Sequence, residues 1–156
     1  VLERIWKSFV KSGAKLDADG QKRLAEVSQR LASLGAQFGQ NVLADESEWL
    51  LLLDNEADLE GLPDYLRDAM AAIATDRGHE GKYAVTLSRS IIDPFLTLSA
   101  RRDLRETAFK AWIARGAGGG DTDNAALIAE IIGLRTEKAQ LLGYDTYAAY
   151  KLDDTM

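Results

Sequence analysis

The first residues of the chain place apolar side chains at the spacing of an amphipathic helix. Glycine commonly ends helices because it adopts the left-handed conformation easily, so we expect Gly13 to end this one. The apolar face is wide, and the pattern predicts that it is buried. Its members fall at positions i, i+3, i+4, i+7 and i+8: Leu2, Ile5, Trp6, Phe9 and Val10.

A second, longer helix is predicted after a turn at residues 15–20, where Asp17 or Asp19 can cap it. An antiparallel hairpin with the first helix is the economical arrangement. A coiled-coil dimer is the alternative, because the apolar positions drift only slowly from a seven-residue repeat. Those positions are Leu24, Val27, Leu31, Leu34, Phe38 and Val42.

The hydrophobic period changes at Trp49, and two short strands are predicted from there. The first is the apolar run at residues 49–53, and the second is the alternating stretch at residues 83–88. A helix opened by Pro63 lies between them, with Leu66 and Met70 on its apolar face. A parallel crossover is natural for such a pair, although a looser connection would make it antiparallel.

Helical patterns return in the last third of the chain. Pro94 is expected to start a short turn or helix, and Ser99 can cap the helix that follows. The glycine-rich stretch at residues 116–121 is interpreted as a mobile connection, after which Asp121 or Asp123 caps the next helix.

Two more helices are predicted at the end of the chain. Gly143 should end the helix that begins near Asn124. Asp145 or Thr146 can cap a short helix that carries Tyr147, Tyr150 and Leu152. The predicted fold is mainly α, a helical hairpin and helix bundle with a small two-stranded β element at about 49–53 and 83–88. We expect residues 1–156 to form a single helical fragment, a piece of a larger protein.

Composition narrows the possible functions. The 156 residues are 46% hydrophobic, enough for a core, and carry a net charge of −6, which opposes nucleic acid or an anionic membrane as a partner. The chain has no cysteine, which excludes thiolate chemistry and is compatible with a cytoplasmic location. No apolar run is long enough to span a membrane, and residues 1–10 do not form a signal peptide.

The residues show no catalytic or metal-binding constellation. His79 and Glu80 begin an H-E-x-x-H pattern, but Tyr83 stands where the second histidine is required, and the chain has one histidine. We interpret His79 as a solvent-exposed turn residue. The glycine-rich stretch lacks the Lys-Ser or Lys-Thr ending of a P-loop.

Arg101 and Arg105 are the candidate substrate-binding residues, because arginines on adjacent helical turns can bind a peptide carboxylate. The commoner alternative is a solvated face on which Arg102 pairs with Glu106. The chain also has three tryptophans, which we interpret as core residues because each lies in an apolar periodic stretch. They are Trp6, Trp49 and Trp112.

Several segments, in this order along the chain, resemble the thimet oligopeptidase family of zinc metallopeptidases, and most closely its bacterial oligopeptidase A and peptidyl-dipeptidase branch. The segment LRTEKAQLLGYDTYAAYKL at residues 134–152 carries most of the likeness. The others are FGQNVLAD at 38–45, LEGLP at 59–63, YAVTL at 83–87, PFL at 94–96 and RRDLRETAFKAW at 101–112.

The resemblance implies a parent protein several times longer, with a deep channel that admits short peptides and a zinc ion held by H-E-x-x-H and a downstream glutamate. This chain matches the helical part upstream of the catalytic lobe, so we expect it to form part of the channel wall. The isolated chain should bind no zinc and cleave no peptide. Its natural partners would be short peptides and the missing catalytic lobe of the same chain.

Two further expectations follow from that interpretation. Without the catalytic lobe, an apolar surface near Tyr147, Tyr150 and Leu152 should be exposed. The alternative to a peptidase portion is a self-contained helical interaction module that binds a partner helix through the apolar face between Leu24 and Val42, without enzymatic activity.

Overall fold

The computed structural model describes residues 1–155 and is mainly helical with one small sheet, as predicted. Its α-helices are α1 (Leu2–Lys11), α2 (Ala18–Glu48), α3 (Asp64–Asp76), α4 (Arg89–Leu98), α5 (Arg102–Ala114), α6 (Ala125–Leu141) and α7 (Tyr147–Leu152). A 3₁₀ turn spans Glu56–Leu59, and the strands are β1 (Leu51–Leu53) and β2 (Tyr83–Val85). The chain divides into two compact units. Unit 1 comprises Val1–Gly39 and the chain from Asn124 onward, and unit 2 is Gln40–Asp123.

The two strands in unit 2 are antiparallel, with Leu51 opposite Val85 and Leu53 opposite Tyr83. Of the two arrangements that the sequence left open, the parallel crossover is therefore wrong and the antiparallel pair is confirmed. A 3₁₀ turn and α3 both lie between the strands, so the connection is long enough to enter the sheet from the other end. Both strands are also shorter than predicted: β1 begins at Leu51, three residues after α2 ends, and α4 begins at Arg89, four residues after β2 ends.

Most of the large buried side chains belong to unit 2. Their core is built on α3, α4 and the two strands, and α5 closes it through Ala108. Trp49 and Trp112 pack against this core and are half-buried, in agreement with their predicted position. The buried members are Leu53, Leu59, Leu62, Leu66, Met70, Val85, Leu87, Ile91, Ile92, Phe95 and Ala108.

α4 begins at Arg89, earlier than the predicted start at Pro94. The amides of Ile91 and Ile92 donate to the carbonyl oxygen of Ser88, which starts the helix there. Both isoleucine side chains are buried, so packing extends the helix upstream and leaves Pro94 inside it. The proline costs one backbone hydrogen bond, which burial of the apolar face offsets.

In unit 1, the first half of α2 and α6 run antiparallel, because residues early in α2 meet residues late in α6. The guanidinium of Arg23 lies 2.6 Å from the Glu137 carboxylate, and that of Arg30 lies 2.6 Å from Glu130. The predicted apolar face of α2 is buried in its N-terminal part, whereas Phe38 is 37% exposed. Its buried members are Leu24, Val27 and Leu34.

Helix ends in unit 1 follow the capping signals of the sequence. Asp17 Oδ1 accepts a 2.8 Å hydrogen bond from Gly20 N, and Thr146 Oγ1 accepts one of 3.1 Å from Ala149 N. Gly143 has a φ of +83°, and the amide of Tyr144 donates to the carbonyl oxygen of Ala139. This is the Schellman arrangement, which confirms that Gly143 ends α6.

The apolar face of α1 is exposed, so the prediction that it is buried is wrong. Leu2 is 84% exposed, Trp6 53% and Phe9 62%, and no residue of α1 is buried. The contacts of α1 instead involve its lysines: Lys7 pairs with Asp153 at 3.2 Å, and Lys11 pairs with Asp154 and donates to the carbonyl oxygen of Tyr150 in α7. The polar side of α1 therefore faces the rest of unit 1, and Trp6 is not a core residue.

The surface around α7 is partly apolar. Leu152 is 66% exposed, as predicted, whereas Tyr147 and Tyr150 are half-buried. The ring of Tyr150 lies 5.5 Å from that of Tyr144 and 5.7 Å from that of Tyr147. The three rings cover one another, which explains why the expected apolar surface is smaller than the sequence indicated.

Candidate functional site

The predicted substrate-binding residues lie on α5, one side of which faces the core of unit 2. Ser99 Oγ accepts a 3.2 Å hydrogen bond from Arg101 N just before the helix. Ala108 is fully buried, and Leu104 packs against the same core. Because these positions fix the rotation of the helix, its charged side chains point towards solvent, except that Arg105 is partly buried.

Arg101 is held by carboxylates of unit 2. Its Nε and Nη2 lie 3.0 and 2.7 Å from the two oxygens of Asp103, and Nη1 pairs with Asp58. The hydrogen bonds from Arg101 lower the pKa of Asp103 to about 2, and the same bonds raise the pKa of Arg101. The guanidinium is thus occupied within the chain. That Arg101 binds a peptide stays a prediction.

Arg105 is in a different situation from Arg101. Its Nε is shielded from solvent and has no hydrogen-bond partner among residues 1–155. Arg105 lines a groove of about 450 Å³ with Leu96 of α4 and with Arg102, Glu106 and Phe109 of α5. The structure therefore places Arg105 beside Arg102 in this groove and leaves Arg101 out of its lining.

Glu106 pairs with Lys110 at 2.6 Å, so the predicted pairing of Glu106 with Arg102 is wrong. Both partners stand four residues from Glu106, but a glutamate N-terminal to its basic partner is the better orientation on a helix. The hydrogen bond from Lys110 lowers the pKa of Glu106, with a smaller contribution from the charge of Arg102.

A second polar cluster holds the glycine-rich stretch at residues 116–121. Asp45 Oδ2 accepts a 2.6 Å hydrogen bond from Gly116 N. A hydrogen bond from the Thr122 side chain, together with that from Gly116, lowers the pKa of Asp45. Gly119 N donates to Asp123 at 3.0 Å. One hydrogen bond thus ties the start of the stretch to α2, and the other is local to the loop. That the stretch is mobile stays a prediction.

Sequence reasoning missed Asp45 because its partner Gly116 lies 71 residues away. A neighbouring groove of about 390 Å³ is lined by Asp45, Glu48, Trp49 and Arg115, among others. Arg115 lies over the ring of Trp112 at 3.5 Å and pairs with Glu46 at 3.0 Å. Asp45, Glu46 and Arg115 have partners within unit 2, so we interpret the cluster as structural.

The donor set does not fit a metal site. His79 lies half-buried in the turn after α3, where its amide donates to the carbonyl oxygen of Ala74 at 2.8 Å. Across residues 1–155, no three His, Cys, Asp or Glu side chains converge in a way that could hold a metal ion. In the same part of the chain, no helix combines the length and hydropathy that a membrane span requires.

Known peptidases align with almost the whole length of this chain. Residues 95–156 match Peptidase family M3, a stretch that includes the arginine-lined groove on α5. Oligopeptidase A of Haemophilus influenzae is 36% identical over 159 residues, covering 99% of this chain and 23% of that protein.

More distant relatives give the same result. Dipeptidyl carboxypeptidase of Escherichia coli is 30% identical over 156 residues, covering 100% of this chain and 23% of the relative. Saccharolysin of Saccharomyces cerevisiae is also 30% identical over 156 residues, covering 99% of this chain and 21% of the relative. The chain thus spans about a quarter or less of the length of the curated relatives it matches.

Proposed function

Since this chain belongs to the thimet oligopeptidase family, we propose that it is a non-catalytic helical portion of a zinc-dependent oligopeptidase or peptidyl-dipeptidase. One observation carries the proposal. Identity extends over 99% of this chain but covers only 23% of oligopeptidase A, so the chain corresponds to one stretch of a longer peptidase. The parent would hydrolyse short peptides.

In this proposal the zinc is held by residues outside the given sequence. The zinc motif of the family needs two histidines one helical turn apart, and this sequence has a single histidine. No step of peptide-bond cleavage is therefore assigned to residues 1–156. The chain would contribute shape and charge to the channel wall, and its catalytic partner would be the lobe that follows in the parent. A cytoplasmic location stays a prediction.

The first test is made on the purified chain of residues 1–156. We expect less than stoichiometric zinc by mass spectrometry and no cleavage of a quenched fluorescent peptide. Peptide cleavage by a pure preparation that carries one zinc per chain and stops on addition of EDTA would overturn the proposal.

The second test concerns the parent. We expect the reading frame downstream of Met156 to encode H-E-x-x-H and the full protein to lose peptidase activity on addition of EDTA. A gene that ends near Met156 without the motif would instead support the interaction module.

The interaction module loses support from the geometry of α2. Its face was expected to bind a partner helix, but Leu24, Val27 and Leu34 are between 1% and 7% exposed. A partner helix would have to displace the packing of unit 1 to reach them. The peptidase portion is the function that the observations favour.

A further inference from the structure

We propose that the groove lined by Leu96, Arg102, Arg105, Glu106 and Phe109, here called the arginine groove, binds the C-terminal carboxylate of a short peptide. This inference rests on the proposed function for the identity of the ligand as a peptide. The anion site itself is argued from the side chains of unit 2.

Charge matching on α5 leaves two guanidinium groups with donors to spare. Arg101 is matched by Asp58 and Asp103, and Lys110 is matched by Glu106. Arg102 is attracted by Glu106 only at longer range. Arg105 Nε is the one side-chain nitrogen or oxygen among residues 1–155 that is buried without a hydrogen-bond partner.

A shielded cationic donor without an acceptor is unfavourable, because it loses its hydration and gains no bond in return. A carboxylate is a suitable acceptor, since its two oxygens can accept two parallel hydrogen bonds from a guanidinium. Arg102 lies three residues before Arg105, so both side chains belong to neighbouring turns on the same side of α5. Together they can approach one carboxylate.

The apolar walls of the groove narrow the choice of anion. Phe109 stands one turn after Arg105 and is 48% exposed, and Leu96 is half-buried on α4. A peptide that ends in an apolar residue presents a carboxylate and an apolar side chain from the same carbon atom, which suits donors beside apolar walls. A phosphate ion would use the two arginines and leave those walls unused. The volume of about 450 Å³ is sufficient for one or two residues.

Binding to the arginine groove can be tested with the chain of residues 1–156 and the pentapeptide Gly-Ala-Ala-Ala-Leu. The free acid and the C-terminal amide are titrated into ¹⁵N-labelled protein, and the arginine Nε–H signals are followed by NMR. We expect the free acid to shift the Arg105 signal and the amide to bind at least about tenfold more weakly, because charge-assisted hydrogen bonds are lost.

Substitutions locate the site. Arg105→Gln and Arg102→Gln should each weaken binding of the free acid about tenfold or more, and Arg105→Lys should retain part of it. Arg89→Gln is the matched control, because the Arg89 side chain is 85% exposed and its contact with Asp93 is 4.0 Å long. This control should leave affinity unchanged. Circular dichroism verifies that each variant is folded.

Phe109→Ala gives a second, independent measurement, since this half-exposed side chain can be shortened without opening the core. It should reduce the preference for a peptide ending in Leu over one ending in Gly. Equal affinity for acid and amide, or equal loss in Arg89→Gln and Arg105→Gln, would overturn the proposal. So would inorganic phosphate that binds at Arg105 in preference to the peptide.

The outcomes also separate this inference from the proposed function. If the gene lacks H-E-x-x-H while the free acid still binds at Arg105, the peptidase proposal fails and the carboxylate site stands. If the motif is present but acid and amide bind equally, the arginine groove fails and the peptidase proposal stands.

Discussion

Gly61 marks a close approach of two backbone segments in unit 2. It has a φ of +84°, and the amide of Ala100 donates a 2.9 Å hydrogen bond to the carbonyl oxygen of the preceding Glu60. A Cβ atom at Gly61 would overlap the carbonyl oxygen of Leu98 and lie 3.0 Å from the nitrogen of Ala100. Because both neighbours are backbone atoms, neither can rotate away.

Gly61→Ala should therefore destabilise the chain by about 3 kcal/mol, of which the left-handed conformation accounts for about 1–2 and the overlap for the rest. Gly81→Ala is the matched control, because Gly81 has a φ of +80° with nothing within 4 Å of its added Cβ. We expect it to cost only the conformational part, about 1–2 kcal/mol. Urea unfolding measures both, and equal losses would contradict the role assigned to the close approach.

Asp45 gives a prediction with a pH dependence. Its hydrogen bonds from Thr122 and Gly116 lower its pKa in the folded chain. A carboxylate with a lowered folded pKa contributes stability above its unfolded pKa of about 3.9 and loses it as the pH falls through the folded value. Asp45→Asn should therefore cost about 1–2 kcal/mol at pH 7 and progressively less below about pH 4.

Unfolding by urea at pH 7 and at several values below pH 4 checks this expectation. Asp121→Asn is the control, because Asp121 lies in the same loop, is exposed and makes no hydrogen bond or ion pair within residues 1–155. It should change stability little at either pH. A destabilisation by Asp45→Asn that stays constant down to pH 2 would contradict the charge-dependent role.

At the scale of elements, α1 and α2 show what an amphipathic pattern can and cannot predict. The pattern located both helices because apolar spacing follows the geometry of the helix itself. It could not show what covers the apolar face, since that depends on residues elsewhere. In α2 the face is buried at Leu24, Val27 and Leu34, whereas in α1 the lysines face the protein and the apolar residues face solvent.

This difference predicts opposite effects of substitution in the two helices. Phe9→Ser should change the stability of residues 1–156 by less than about 0.5 kcal/mol, because Phe9 is 62% exposed. Leu34→Ala should cost about 2–5 kcal/mol, because Leu34 is 1% exposed and its truncation leaves a cavity. Thermal unfolding compares the two. A loss from Phe9→Ser as large as that from Leu34→Ala would show that α1 is buried in solution.

The candidate site was predictable only in part for the same reason. Helical spacing placed arginines of α5 near one another, which is a local property. It could not distinguish Arg101 from Arg105, because Asp58, which occupies Arg101, lies 43 residues away in the sequence. Nor could it show that Glu106 selects Lys110 and leaves Arg102 beside Arg105.

At the scale of the whole molecule, composition and hydrophobic periodicity were sufficient to predict a mainly helical fold with one small sheet. The division into two units was not foreseen. One of its boundaries, between Gly39 and Gln40, falls inside the continuous helix α2, where no linker composition marks it. The relative direction of the two strands could not be predicted either, because periodicity locates the strands but does not give the path of the chain between them.

The discontinuity of unit 1 has a consequence for how the chain folds. Its ion pairs join residues separated by 114 positions for Arg23 and Glu137 and by 100 for Arg30 and Glu130, whereas unit 2 is one uninterrupted segment. Closing a long loop costs entropy before its contacts repay it, which slows folding. We expect amides of Ile92 and Phe95 to gain protection in pulsed hydrogen exchange before that of Leu34, and the reverse order would contradict this. During synthesis, α2 leaves the ribosome about a hundred residues ahead of its partners on α6. The apolar face of α2 therefore stays uncovered until α6 has been synthesised.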